Sequence, residues 1–141
     1  MTSSRMGRLY IEEAASRVEL VRLAAERELW PTVVREAQEC VELFLKGALR
    51  LVAVEPARTH DVAVMLRREA ARFPPWFRTE VERLATISTE MAGDRGIAFY
   101  GDERQDLAPR DLFDRSDAER AAANLEYLAA LCQRLLATVP G

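Results

Sequence analysis

The side chains able to do chemistry in this 141-residue chain are few and scattered. His60 is the only histidine, so one chain cannot build a His–His metal site, and neither Cys40 nor Cys132 has a second ligand at metal-binding spacing. Both cysteines lie among apolar neighbours in helical patterns, where a free thiol acts as a small buried hydrophobe. Asp94 and Asp102 flank a glycine-rich stretch and are the remaining candidates for a divalent ion, although acids beside glycine ordinarily serve turns. No metal and no cofactor is therefore expected. Lys46 is the only lysine among 20 basic residues, and all the others are arginine, whose planar fork suits bidentate phosphate contact. Arginine-rich coding and salt-bridged helix faces produce the same bias. Lys46 itself reads as an edge residue that snorkels to water or as a phosphate-facing cation. His60, between Thr59 and Asp61, suits a local bond at a helix start. Nothing has the form of a Gly-rich phosphate loop, a Ser-His-Asp set or paired catalytic carboxylates.

These side chains must be positioned by helices, because apolar residues recur at alternating gaps of three and four along most of the chain. Ile11, Ala14, Val18, Val21 and Ala25 form one such stripe. Leu29 and Trp30 make a corner, and Pro31 suits a first helical turn. Val34, Ala37, Val41, Phe44, Ala48 and Leu51 follow, widened by Val33, Cys40, Leu45 and Val52 into the broad face of a central helix. Pro56 and Arg58-Thr59-His60 are expected to close it. Val62, Met65, Leu66 and Ala70 predict a shorter helix, stopped at Phe73-Pro74-Pro75-Trp76 because proline breaks the ladder and disfavours helix before it. Val81, Leu84, Ile87 and Met91 predict a fourth helix that ends or bends where Gly93, Gly96 and Gly101 cluster. Asp102 to Arg115, charged and holding Pro109, reads as the longest surface loop. Ser116-Asp117-Ala118-Glu119 has the form of a capping box opening the last helix, which carries Ala118, Ala121, Leu125, Leu128, Cys132, Leu135 and Val139. The fold class is thus all-α, a bundle of four to five helices.

The bulk composition agrees. Apolar residues make up 49% and charged residues 30%, which fits one folded domain over residues 1–141 and excludes a disordered chain. A net charge of −3 argues against a uniformly basic, DNA-coating surface. No apolar run approaches the ~18 residues needed to span a bilayer, and Met1 to Tyr10 lacks the apolar core of a secretory signal. No membrane partner and a cytoplasmic location are expected.

Four segments, in order, carry a family resemblance. Ala37-Gln38-Glu39-Cys40-Val41-Glu42-Leu43-Phe44-Leu45-Lys46-Gly47 is similar to the signature helix of HEPN (higher eukaryotes and prokaryotes nucleotide-binding) proteins. Thr59-His60-Asp61 followed by Met65-Leu66 resembles that family's Gly-His-Asp-Leu segment. Asp94-Arg95-Gly96-Ile97-Ala98-Phe99-Tyr100-Gly101-Asp102 resembles its arginine-bearing motif near the end of the fourth helix, and Ser116 onward its closing alanine-rich helix. The resemblance covers about residues 8 to 138. It implies an antiparallel helical bundle that commonly forms a homodimer, often beside a minimal nucleotidyltransferase, with some members acting as metal-independent RNases of toxin–antitoxin type.

In those RNases an arginine is followed four to six residues later by histidine, and two such pairs meet across the dimer. Here Arg95 is present and Tyr100 stands where histidine is expected. Cleavage through a 2′-hydroxyl needs a proton acceptor working near neutral pH and a cation for the transition state. Arg95 can supply the charge. A tyrosine, with an ordinary pKa of ~10, starts about three units too high, a gap of about 4 kcal/mol. The resemblance therefore implies a degenerate RNase motif in a module that binds nucleotide, RNA or a partner protein, with Arg95, Tyr100, Lys46 and His60 as candidate binding residues. Arg95 and Tyr100 remain the candidates for catalysis should the chain be a metal-independent endoribonuclease. Their ordinary roles would be a helix-end cation and an interface aromatic.

Overall fold

A computed structural model describes residues 4–140, so residues 1–3 and 141 of the expected 1–141 domain lie outside it. Helix α1 (Ser4–Glu26) and helix α2 (Trp30–Leu51) are joined by three residues. Helix α3 (Ala63–Arg68) is followed by a 3₁₀ turn at Ala70–Arg72, and α4 (Pro75–Arg78) by the long α5 (Val81–Tyr100). A short α6 (Pro109–Leu112) leads into α7 (Arg115–Ala137). Four long helices thus make the antiparallel bundle, and the remaining helical turns serve as connections.

Helix α2 is the axis of the bundle, packed against α1, α5 and α7. Val33, Ala37, Cys40, Phe44, Leu45 and Ala48 are fully buried, more than one stripe's worth, which is why its apolar face reads so wide. The buried apolar side chains of all four long helices belong to one cluster. Cys40 and Cys132 lie inside it, and burial pushes the Cys40 thiol up to about 12. Helices α1 and α2 approach closely because Gly7 faces Gly47, where an added Cβ would sit 2.9 Å from the Gly47 carbonyl oxygen.

Several boundaries differ from those read in the sequence. Helix α2 stops at Leu51, ahead of Pro56, because Ala53 turns into the left-handed region at φ 65° and Val54 N–H returns to the Leu49 carbonyl. The fourth long helix neither ends nor bends at Gly93 and Gly96. It runs to Tyr100 and stops only at Gly101, whose φ of 77° no ordinary side chain adopts comfortably. Met91 and Ala98, buried on its inner face, hold the helix across the two glycines. The expected long loop is instead a tight turn, closed by paired Asp102 and Leu107 backbone bonds of 2.9 Å, followed by α6. The capping box of the last helix sits two residues earlier than expected. Asp114 Oδ1 accepts from the Asp117 N–H at 3.0 Å, and Asp117 Oδ2 accepts from the Asp114 N–H at 2.9 Å. Aspartate caps as well as serine, so the same spacing is satisfied ahead of Ser116. Among the described residues no helix is long and apolar enough to cross a membrane.

Candidate functional site

One face of α2 escapes burial, and its polar side chains fall at gaps of three and four: Arg35, Glu39, Glu42 and Lys46. Glu42 is the better satisfied of the two acids. Its Oε1 accepts from Gln38 Nε2 at 3.1 Å and lies 2.8 Å from His60 Nδ1, while its Oε2 accepts from Lys46 Nζ at 2.9 Å. Burial alone would raise its pKa, but these hydrogen bonds outweigh it and hold the carboxyl below the ordinary range. A carboxylate only accepts, so the hydrogen of this His60 bond is on Nδ1.

His60 reaches α2 because the segment carrying it is tied to α5. Asp61 Oδ1 accepts from the Ala63 N–H and from Ser88 Oγ, both at 2.9 Å, and Oδ2 accepts from Thr89 Oγ1 at 2.8 Å. The buried Ser88 hydroxyl in turn accepts the Val62 N–H at 3.0 Å. A partly wound loop is thereby fixed across two helices.

Helix α5 brings Arg95 to the same place. Arg95 Nη2 lies 3.6 Å from Glu39 Oε1, and Arg35 Nη2 lies 3.6 Å from that same oxygen. Both separations are too long for hydrogen bonds. The Nε of Arg95 is buried without any hydrogen-bond partner, while about a third of the side chain remains open to solvent. Arg17, Glu39, Glu42, Leu43, His60 and Arg95 line a polar cleft of about 230 Å³. Two guanidinium groups, a carboxylate-bound imidazole and two acids therefore share one small space. Such a set can hold an oxyanion and has an imidazole placed to exchange a proton with it.

Of the four candidates read from the sequence, Arg95 and His60 meet in this cleft. Lys46 adjoins it through Glu42. Tyr100 lies elsewhere on α5. Five residues from Arg95, it is about 140° round the helix, and the residue is 67% exposed beside a second hollow that includes Gly93, Gly96 and Asp102. A chain of contacts still connects the two: the Arg35 guanidinium covers the Phe99 ring at 4.4 Å, and Phe99 meets Tyr100 edge-on at 4.5 Å. Asp102 does the turn chemistry its position suggests, accepting from the Arg104 N–H at 3.1 Å and from Gln105 Nε2 at 2.9 Å. Asp94 faces a different groove with Glu90, Asp117 and Arg120, and burial raises its pKa. Among the described residues no group of three or more His, Cys, Asp or Glu side chains could hold a metal ion.

Glu39, Glu42, Arg17 and Arg35 are the contributors that reading the sequence passed over. The signal for three of them was present as charge at helical spacing on the helix with the broadest buried face, where an unpaired charge is costly. Arg17 carried none. The model of the HEPN domain family matches residues 8–135, close to the span of the resemblance read from the motifs. Among curated proteins and solved structures, nothing matches the chain.

Proposed function

Because the chain belongs to the HEPN domain family, a family that includes nucleotide-binding and RNase modules, we propose that it is a homodimeric module that binds a nucleotide or single-stranded RNA at the Arg95 cleft. The observation carrying this reading is the state of Arg95. Its guanidinium opens into a cleft, makes no hydrogen bond to Glu39, and keeps a buried Nε donor without a partner. A phosphate oxygen entering the cleft would give the exposed guanidinium donors the acceptors they lack, and Arg–phosphate contacts are among the stronger polar interactions available to a protein. The exposed Phe99 and Tyr100 rings, linked to the cleft through Arg35, offer faces on which a base can stack.

Binding of fluorescein-labelled single-stranded RNA, followed by anisotropy, tests this. Arg95→Ala should weaken it at least about tenfold, the scale of one charge-assisted contact, while leaving the helical circular dichroism unchanged. Unaltered affinity in a folded Arg95→Ala protein would remove the cleft from the function.

One observation favours a second reading, cleavage. The sequence offers no histidine beside Arg95 along the chain, yet His60 enters the same cleft with its Nδ1 held by Glu42, the arrangement that prepares an imidazole to act as a base. Chelator-resistant cutting of RNA that is lost in both His60→Ala and Arg95→Ala would establish it. Intact RNA after prolonged incubation with wild type leaves binding as the role.

A further inference from the structure

The two acids of the cleft differ in how they are held, and that difference suggests a control on the site. Glu42 is locked by three hydrogen-bonding partners. Glu39 is not. Its Oε1 stands 3.6 Å from both Arg95 and Arg35, bonded by neither, and its side chain is only 20% exposed. A carboxylate in this position satisfies the charge of Arg95 without satisfying its donors. It is a counter-ion rather than a structural bond.

Resting on the proposed phosphate-binding role of Arg95, we infer that Glu39 is a displaceable internal counter-ion that competes with the ligand's phosphate for Arg95 and is taken up by Arg35 when a phosphate enters. Arg35 is suited to receive it. It lies one helical turn before Glu39 on α2, and its guanidinium is braced on the Phe99 ring, with Glu36 Oε1 a further 3.6 Å from its Nη1. The ligand class that follows is a phosphate mono- or diester, whose oxygens replace one carboxylate oxygen at the same guanidinium. Neutral and cationic ligands gain nothing by this exchange. The empty cleft keeps its charge balanced, and adventitious anions must displace Glu39 before they bind.

The test uses the full chain, with labelled single-stranded RNA and adenosine monophosphate as the two probes, since a backbone diester and a free nucleotide present the same chemistry. Glu39→Gln keeps the shape and removes the charge. It should tighten binding of whichever probe is the ligand by about tenfold, the effect of deleting one close opposing charge in a partly screened site. Arg35→Ala should weaken binding in wild type but change little in the Glu39→Gln background, because its role is to receive Glu39. If Arg35→Ala costs the same in both backgrounds, Arg35 touches the ligand directly and the exchange is wrong. If Glu39→Gln binds no better than wild type while Arg95→Ala abolishes binding, the counter-ion inference fails and the Arg95 site stands. If no variant binds either probe, both fail together. Unchanged circular dichroism and melting temperature of Glu39→Gln show that an altered affinity is not altered folding.

Discussion

Glu42 and Asp61 hold the site together through their charges, and this makes acid the natural probe of the single residue. In both, burial works against ionisation and is overcome by hydrogen bonds: from Lys46, Gln38 and His60 to Glu42, and from the Ala63 N–H, Thr89 and Ser88 to Asp61. Each folded-state pKa is therefore lower than in the unfolded chain, so the unfolded state takes up protons first as pH falls. Their stabilising contribution is complete above the ordinary carboxylate range of ~4 and is lost as pH drops through the folded-state values. Urea unfolding between pH 7 and pH 3 should show wild type losing stability over this window, with Glu42→Gln and Asp61→Asn less stable at pH 7 and flatter in their dependence. A variant as steep as wild type would mean that its carboxyl is not held as described. At this scale the sequence was partly legible. Arg95 and His60 stood out as types, but their meeting depends on a loop pinned by Ser88 and Thr89, and no spacing rule joins positions 35 residues apart.

The long helices themselves were easier to read than their ends. Apolar periodicity located α1, α2, α5 and α7 because burying a stripe is what makes a helix stable in a protein. It could not separate a glycine inside a helix from one that ends it, since all three near the end of α5 look alike as residue types. Tertiary surroundings distinguish them. At Gly93 and Gly96 an added Cβ would meet nothing within 4 Å, while at Gly101 it would strike the Leu107 carbonyl in a left-handed backbone. Opposite outcomes are expected where a side chain is added at an open glycine and at a crowded one. Gly93→Ala should stabilise the protein by up to about 1 kcal/mol, because alanine loses less backbone freedom in a helix. Gly47→Leu should destabilise it by about 1–3 kcal/mol through overpacking, since even a Cβ there lies 2.7 Å from Ile11 Cγ1 and 3.0 Å from the Gly7 carbonyl oxygen. Thermal melts of both variants check the pair, and a stable Gly47→Leu would deny the close crossing of α1 and α2.

Taken whole, the molecule buries its core around α2 but, among the described residues, leaves apolar side chains exposed in groups as well as singly, as at Val64. Leu20, Leu23 and Leu29 are each about half exposed around the corner between α1 and α2, and Ile97, Phe99 and Tyr100 are exposed at the end of α5. Charge and composition, which describe the surface only on average, gave no sign of where these would fall. HEPN domains often dimerise, and a proposed homodimer has to use some such surface. Light scattering should give twice the mass of one chain, and a monomer at high concentration would end the homodimer proposal. Charge placed on each surface then identifies the interface: Leu23→Glu for the corner, Tyr100→Glu for the end of α5. Dissociation by Tyr100→Glu alone puts the α5 ends together, with each Arg95 cleft joined to that interface through Arg35, Phe99 and Tyr100 of its own chain. Ile97→Glu, which charges the same surface without removing a ring offered for stacking, should lower RNA affinity by far more than adenosine monophosphate affinity where one strand spans both protomers, since a free nucleotide needs only one cleft. Dissociation by Leu23→Glu alone leaves the clefts independent, and the two probes should then be affected alike.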